Sequence, residues 1–525
     1  MQFVRLNVMS PAAALCRLAR LARLALLLLM SMLVSAANAT AQGTPQPSAP
    51  DAWHGGAQAR YRVLNLGPGT IANYPKINAS GQVAFSMIND GRTAGFFYDG
   101  ASVRPLGALG GGAVYAAGLN DAGQVAGTAI NARGVENAFV WSVGGGMLAL
   151  RAEPGRGRSY GMAINRDGVV AGSFGEPARP FRWSAAGGVE DLGVMPALPW
   201  PTGATLLSDA GLVAGVVTIE EENTRAFVWT RSGGAVDIDT LGSVDSAPVA
   251  IGAGGEVAGN RLASHEDAGE RPFLWTRTGG MIDLGTGGGA TASVNAMTPG
   301  LHIAGAIGFA DGRQRAMSWT RLGGMRQLGT LGGRTSVGRA VNGKGQIVGF
   351  AENTAGAMRA FVWNAGGGML DLNRALRNAP HSLVLEHALA INDNGAIVAS
   401  SNAGLVLLRP DHGRAIGRNT GRDAGHVLGP LEAPRSVKVG AQLHASVAFV
   451  DSDRSGTRSV DWSWGDGSSA SARKVDQAAG EGSASASHSY SEPGTYTVTA
   501  TVVDRAGRST AVSHAVTVTV PGATR

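Results

Sequence analysis

Apolar and polar residues alternate in short runs along most of this chain, and no stretch sustains a helical period. One run is spelled the same way three times: Ala138 to Trp141, Ala226 to Trp229 and Ala360 to Trp363 all read AFVW. Aligned on the closing aromatic, the chain gives Tyr98, Trp141, Trp183, Trp229, Trp275, Trp319 and Trp363, with Leu408 in the equivalent place, at intervals of 42 to 46 residues. A glycine after a turn recurs independently, at Gly81, Gly123, Gly168, Gly211, Gly255, Gly300, Gly345 and Gly395. Both anchors define eight units of about 44 residues.

Each unit divides into four strand-like segments, which in the seventh are SVGRAVN (336–342), QIVGFAE (346–352), MRAFVWN (358–364) and GMLDLN (368–373). The turn between the first two also repeats, as in Asn120-Asp121-Ala122-Gly123 and Asn392-Asp393-Asn394-Gly395. Asparagine or aspartate bonds back to the backbone there and glycine takes the left-handed position, so a hairpin is predicted. Four strands per unit at this period predict an all-β protein built on an eight-bladed β-propeller, with a seven-bladed ring plus a degenerate terminal unit as the alternative. YRVLNLG (61–67) is similar to the fourth segment GGMIDLG (279–285), yet it precedes the first complete unit, and no fourth segment follows Leu408. It is therefore expected to complete the last blade and so hide the sheet edges. Within AFVW, Phe and Trp alternate with Ala and Val, so the two sets face opposite sides of the strand. The large rings are expected to fill the space between blades, in preference to forming an exposed platform for sugars.

Composition agrees with this picture: 79 glycines in 525 residues, 16% charged and 6% aromatic residues suit short strands and tight turns better than helices. The first residues change it. Arg5, Arg17, Arg20 and Arg23 precede the apolar run LALLLLMSMLV (24–34), and small residues follow, which reads as a secretory signal peptide cut after Ala41. The alternative, a retained membrane anchor, needs roughly 20 apolar residues. Cys16, the only cysteine, lies inside the signal, so the mature chain is expected to hold no disulfide. Removing four arginines and no acid also brings the formal charge from +6 to about +2. The high overall pI is then a poor argument for nucleic-acid binding, which would want a clustered basic face.

The units resemble the HAF family of bacterial extracellular repeats. The resemblance rests on GMRQLGTLGG (324–333), GQIVG (345–349) and AFVW (360–363), and covers roughly 61 to 411. It weakens in the fourth unit, where Leu206-Leu207-Ser208 replaces AIN, and in the sixth, where Met297-Thr298-Pro299 does. It implies an exported repeat protein and brings no catalytic residues. Residues 412–433 are rich in Gly, Arg and Pro and read as a linker. Beyond them, VDWSWGDG (460–467), HSY (488–490) and PGTYTV (493–498) resemble the PKD (polycystic kidney disease) domain, which implies an immunoglobulin-like β-sandwich over 434–521 acting as a spacer or adhesion module. TYTVTATVV alternates, so Tyr496, Val498, Ala500 and Val502 are expected on a core face. Trp-Gly-Asp-Gly reads as a tight turn, and the Ser/Ala/Gly-rich stretch 478–487 as a loop.

Candidate chemistry is sparse. Asp451 and Asp453 have the oxygen spacing of the start of a calcium loop, but Arg454 intrudes and no closing acid follows, so a turn is the competing reading. His265, His302, His381, His387, His412 and His426 show no zinc spacing. A glycosidase would need carboxylates converging on the central channel. The first strands of the units, expected to line it, hold small neutral residues with Arg339 as the one charge, while Glu386 stands alone and Glu220-Glu221-Glu222 falls on a rim loop. The sequence thus predicts, in order, a signal peptide (1–41), a disordered linker (42–60), the propeller (61–411), a linker (412–433) and the sandwich (434–521). The expected role is a monomeric, exported, non-catalytic binding or structural protein with no cofactor, located outside the cell, on its surface or in the periplasm. Its expected partner is an extracellular protein or polysaccharide, with no nucleic acid and no membrane span once the signal is removed. A secreted carbohydrate-active enzyme and a self-associating surface-layer component are the alternatives.

Overall fold

The computed structural model describes residues 60–520 except 151–156, 177, 194–201, 220–222, 265–268, 378, 412–425, 452–456, 473–475, 479–480 and 506–508. The expected signal peptide and residues 42–59 of the first linker lie outside the described residues. Among the described residues, every regular element except the 3-10 turn Leu372–Ala375 is a strand.

Eight sheets follow one another between residues 61 and 410. In the second to seventh, four strands run antiparallel in chain order, as in Gly332–Val341, Ile347–Asn353, Met358–Asn364 and Gly368–Asp371. The first sheet is irregular: Thr70–Ile71 and Lys76–Ile77 are two short pieces that both pair with Val83–Asn89. The eighth has five strands: Leu385–Ile391, Ile397–Ser401 and Gly404–Pro410 from the end of the repeat region, then Tyr61–Gly67 from the beginning, with Tyr61 opposite Pro410, and outermost the short Leu376–Arg377, parallel to it. The expected strand exchange between the two ends is therefore present.

An apolar core lies between each pair of neighbouring sheets, and AFVW supplies both halves of it. Ala304 and Ala316 of the sixth sheet meet Ile347, Phe361 and Trp363 of the seventh. The last core joins Val398, Leu405 and Leu407 of the eighth sheet to Val83, Phe85 and Tyr98 of the first, so the ring is closed. Phe139, Phe181, Phe227, Phe273 and Phe361 are all 0% exposed, which settles their role as packing. Burying each contributes on the order of 2–3 kcal/mol. The first strands of successive sheets touch one another all the way round, which makes them the inner wall of a β-propeller.

Two backbone devices fit the strands to this ring. In the first strand of the seventh sheet one extra residue sits between Gly338 and Ala340, a bulge that lays the Val337 carbonyl over Gly349. A Cβ on Gly349 would fall 1.9 Å from that oxygen, and one on Gly127 would fall 2.0 Å from the Tyr115 oxygen. The glycine that ends QVAG and QIVG is thus set by this close approach. The second device is a chain of asparagines. Asn120 Oδ1 accepts from Gln124 N at 2.9 Å, as the turn chemistry predicts, while its Nδ2 donates to the Asn165 carbonyl of the next sheet at 3.0 Å. Asn78 donates likewise to Asn120 O (3.1 Å), Asn342 to Asn392 O (2.9 Å), and Asn392 across the closure to Asn78 O (2.9 Å). Where the pattern lapses in the middle units, other asparagines take over: Asn260 donates to Val294 O at 3.1 Å and Asn295 to Gly338 O at 2.8 Å.

The C-terminal sandwich has one sheet of His426–Glu432, Gln442–Asp451, Glu481–Ser489 and Asp476–Ala478. Its other sheet is built on Thr457–Ser463, Gly494–Asp504 and Ser509–Thr519. Val498, Ala500 and Val502 are fully buried, as their alternation requires. Two expectations need correction. The segment read as linker, 412–433, contains a strand of the sandwich, whose buried Leu428 and Leu431 straddle a register shift at Gly429-Pro430 that hides the alternation. Most of the stretch read as a loop is strand: Glu481–Ser489 pairs along its length with 442–450, and ladder pairing outweighs its weak β-propensity, while residues 479–480 lie outside the described residues.

Candidate functional site

The inner wall is where residues that do not recur gather. Arg339, the extra residue of the seventh sheet's bulge, places its guanidinium 5.4 Å from the Tyr74 ring centre and 5.5 Å from that of Phe350. Tyr74 belongs to the approach to the first sheet, so Arg339 reaches past the inner strand of the eighth. His387 on that strand packs edge-on against Phe350, with ring centres 4.7 Å apart and planes at 75°, and meets Ser400 Oγ at 3.3 Å. Burial, and then the Arg339 charge, push the His387 pKa below its ordinary value. The neutral ring is therefore the form this packing favours.

Lys76 adds a second cation that inspection of the sequence missed. It lies in the two-residue inner strand Lys76–Ile77, which Tyr74-Pro75 precedes, so no alternation marks it as inner wall. Lys76 is exposed, and partial loss of hydration pushes its pKa below the usual lysine value. Two carboxylates also stand on inner strands. Asp245, at the start of its strand, accepts from Thr224 N at 2.7 Å and Thr224 Oγ1 at 3.1 Å. Glu386 is half-buried, one residue into Leu385–Ile391.

The sandwich carries a polar cluster of a different kind. His488 Nε2 lies 2.6 Å from Asp466 Oδ2 and 3.4 Å from Ser468 Oγ, and Ser468 Oγ donates to Asp466 Oδ1 at 2.5 Å. The residue types match a nucleophile–base–acid relay, but the contacts do not: one imidazole nitrogen serves both partners, leaving no second nitrogen to be oriented by the acid. The imidazole instead stacks on Trp464, with ring centres 5.0 Å apart, and Tyr490 Oη donates to Trp464 O at 2.8 Å. Gly465 (φ +83°) and Gly467 (φ +90°) flank Asp466, the tight turn expected of Trp-Gly-Asp-Gly. Burial raises the Asp466 carboxyl, but the Ser468 hydrogen bonds and His488 outweigh it and hold the pKa at about 2.

A cavity of about 320 Å³ at the rim between the third and fourth sheets is lined by Asn165, Asp167, Arg182, Asp209 and Arg231. Both arginines already pair with Glu190, at 3.6 and 3.2 Å. Of the calcium candidates, Asp451 ends the strand Gln442–Asp451 and Asp453 lies outside the described residues, as do His265, His412 and Glu220 to Glu222. His302 Nε2 lies 2.7 Å from Ser318 Oγ, and burial lowers its pKa. Among the described residues no three His, Cys, Asp or Glu side chains converge as metal ligands, and no helix is long and apolar enough to cross a membrane.

Residues 429–520 match the family model of the PKD domain. The PKD domain of an M14-like peptidase from Thermoplasmatales archaeon SCGC AB-540-F20 is similar at 23% identity, covering 17% of this chain and 90% of that one, with a TM-score of 0.15. TolB from Acinetobacter baumannii is similar at 12% identity over 47% of this chain and 63% of its own, with a TM-score of 0.31. The extracellular domain of a one-component system from B. thetaiotaomicron is similar at 9% identity, covering 89% of this chain and 98% of that one, with a TM-score of 0.27. No curated protein matches the chain. The C-terminal module is thus a PKD domain, and the propeller assignment rests on strand order and ring closure.

Proposed function

We infer that this chain is an exported, non-catalytic binding protein, in which the propeller holds a protein or glycan ligand and the PKD domain spaces or anchors it. One contrast supports the reading. The recurrent polar side chains bond sheet to sheet: Asn392 reaches Asn78, and Ser336 Oγ accepts from Ala316 N at 2.8 Å. Residues that break the repeat, Tyr74, Lys76 and Arg339, stand on or beside the inner wall, where ring closure does not call for them. Long cations and exposed aromatics at an axis are the materials of recognition. The expected signal peptide and the HAF-like wording of the repeats agree with export.

An array of glycans and matrix proteins, probed with the mature protein and followed for both retention and cleavage, tests this. Saturable retention of one ligand class with the ligand recovered intact is the expected result. Turnover of the retained ligand would reassign the protein as an enzyme. Absence of retention would remove the binding reading.

A further inference from the structure

In the second to seventh sheets the fourth strand follows the third through a tight turn, so the chain itself keeps it in place. The strand that closes the ring has no such tether. Tyr61–Gly67 is held to the eighth sheet by its ladder with Gly404–Pro410 and by packing. On its outer side Leu376–Arg377 pairs with Tyr61 and Arg62 alone, and among the described residues no strand pairs with Val63 to Gly67 there. An edge of this kind stays stable only when something covers it.

The C-terminal sandwich is what covers it. Its edge strand His426–Glu432 lies against Tyr61–Gly67 without exchanging ladder bonds. One apolar cluster takes in Tyr61 and Val63 of the closing strand, Leu383 of the connector that precedes the eighth sheet, and Leu428, Leu431 and Val518 of the sandwich. Tyr61 and Val63 are 2% and 5% exposed, whereas Leu148, Val236 and Ile282, on the outer strands of the second, fourth and fifth sheets, are 54%, 52% and 46% exposed. Gly429, at the register shift, has its reason in the same contact: a Cβ there would come 2.5 Å from Ser382 Oγ and 3.5 Å from Pro380 Cβ. Ser382 is in turn tied to the eighth sheet, its carbonyl accepting from Asn402 Nδ2 at 2.8 Å. A second contact reaches the first sheet, where Thr497 Oγ1 donates to Asp90 Oδ1 at the hairpin turn Asp90-Gly91. The sandwich therefore touches both sheets that the closure joins.

We propose that the PKD domain is a clasp on the propeller: straddling the junction of the first and eighth sheets, it holds Tyr61–Gly67 in place, and the ring opens there only when the sandwich lets go. Release of the closing strand has to uncover apolar surface on the sandwich as well as on the ring, so an opening that would otherwise be local is coupled to undocking. This role goes beyond spacing or anchoring and does not depend on what the propeller binds.

A cysteine pair and hydrogen exchange test the clasp in the full chain. With Cys16→Ser removing the native thiol, Ser382→Cys and Gly429→Cys together are expected to form a disulfide within the monomer on mild oxidation, because the two side chains meet in the docked arrangement. Failure of that bond to form overturns the proposal. Amide exchange in Tyr61–Gly67 and Gly404–Pro410, followed by mass spectrometry, then reads the hold on the closing strand. Gly429→Leu should speed it about tenfold by forcing the sandwich off Ser382. Asp90→Gly should speed it about threefold, since glycine keeps the turn at φ +51° and removes only the carboxylate. Exchange in Thr224–Thr230 of the fourth sheet should match wild type in both. Unchanged exchange at Tyr61–Gly67 in either folded variant overturns the clasp, and so does equal acceleration in the fourth sheet, which is general loosening of the ring. If Gly429→Leu unfolds the sandwich itself, seen as lost protection in Gly494–Asp504, Asp90→Gly decides alone.

Discussion

Replacing Asn392 with serine isolates the bond that joins the end of the ring to its start. Asn392 is 6% exposed. Its Oδ1 accepts from Asn394 N at 3.1 Å and Ala396 N at 3.0 Å within the turn, and its Nδ2 donates to Asn78 O at 2.9 Å. Serine keeps the first function, because Ser208 does the same in the fourth unit, accepting from Leu212 N at 3.1 Å. It cannot reach the next sheet. Asn78 O retains its bond from Gly81 N at 3.0 Å and is not orphaned. The loss is then the net worth of one hydrogen bond, about 1 kcal/mol. Asn392→Ala also strips the acceptor from Ala396 N, a buried donor, which brings the total to about 3 kcal/mol. Urea unfolding followed by tryptophan fluorescence reads both, with Asn342→Ser as the internal reference, since Asn342 makes the same bond one sheet earlier. Midpoint shifts are expected for both, the larger for Asn342→Ser, because Asn342 Nδ2 also donates to Gln346 Oε1 at 2.9 Å. A shift for Asn342→Ser with none for Asn392→Ser would show that the first and eighth sheets are not joined in solution.

Gly349→Ala sets a new Cβ 1.9 Å from the Val337 carbonyl, a backbone atom that cannot swing away, and should destabilise the propeller by about 3 kcal/mol in the same assay. Phe361→Ala, at a site with no exposure, should cost about 3–5 kcal/mol, whereas Leu322→Ala, at a fully exposed turn, should stay within about 0.5 kcal/mol of wild type. In the sandwich, Asp466 has its folded pKa held down at about 2, below the unfolded value of about 3.9, so its contribution is present above pH 4 and lost as pH falls toward 2. Asp466 is partly exposed and screened, so that contribution is about 1 kcal/mol, and acid titration of Asp466→Asn should show a correspondingly flatter stability between pH 4 and pH 2.

The architecture was legible where one physical requirement repeats. Eight copies of one alternation and one turn, with AFVW or a variant of it as the core strand, make period, strand number and ring closure readable, and the orphan segment at 61–67 gives away its partner. Features that depend on one copy were not. Lys76 escaped because Pro75 cuts its strand to two residues. The asparagine turn was read as local chemistry through Oδ1, and nothing in a single unit reveals that Nδ2 serves the neighbour. The strand His426–Glu432 was masked by Gly429-Pro430, and Glu481–Ser489 by a composition suited to loops. As for the candidate site, Arg339 was noticed as a charge, but its contact with Tyr74 crosses the ring closure between residues far apart in sequence and leaves no periodic trace.

The exchange of Tyr61–Gly67 into the eighth sheet makes assembly depend on the order in which the chain becomes available. The leading strand must wait, unpaired, until the last unit has emerged, and until then the final sheet offers a vacant edge along Gly404–Pro410. Any other copy in the same state carries the strand that fits that edge. Crowded refolding should accordingly yield reciprocal dimers that trade their first strands, and slow dilution should yield single rings from the same material.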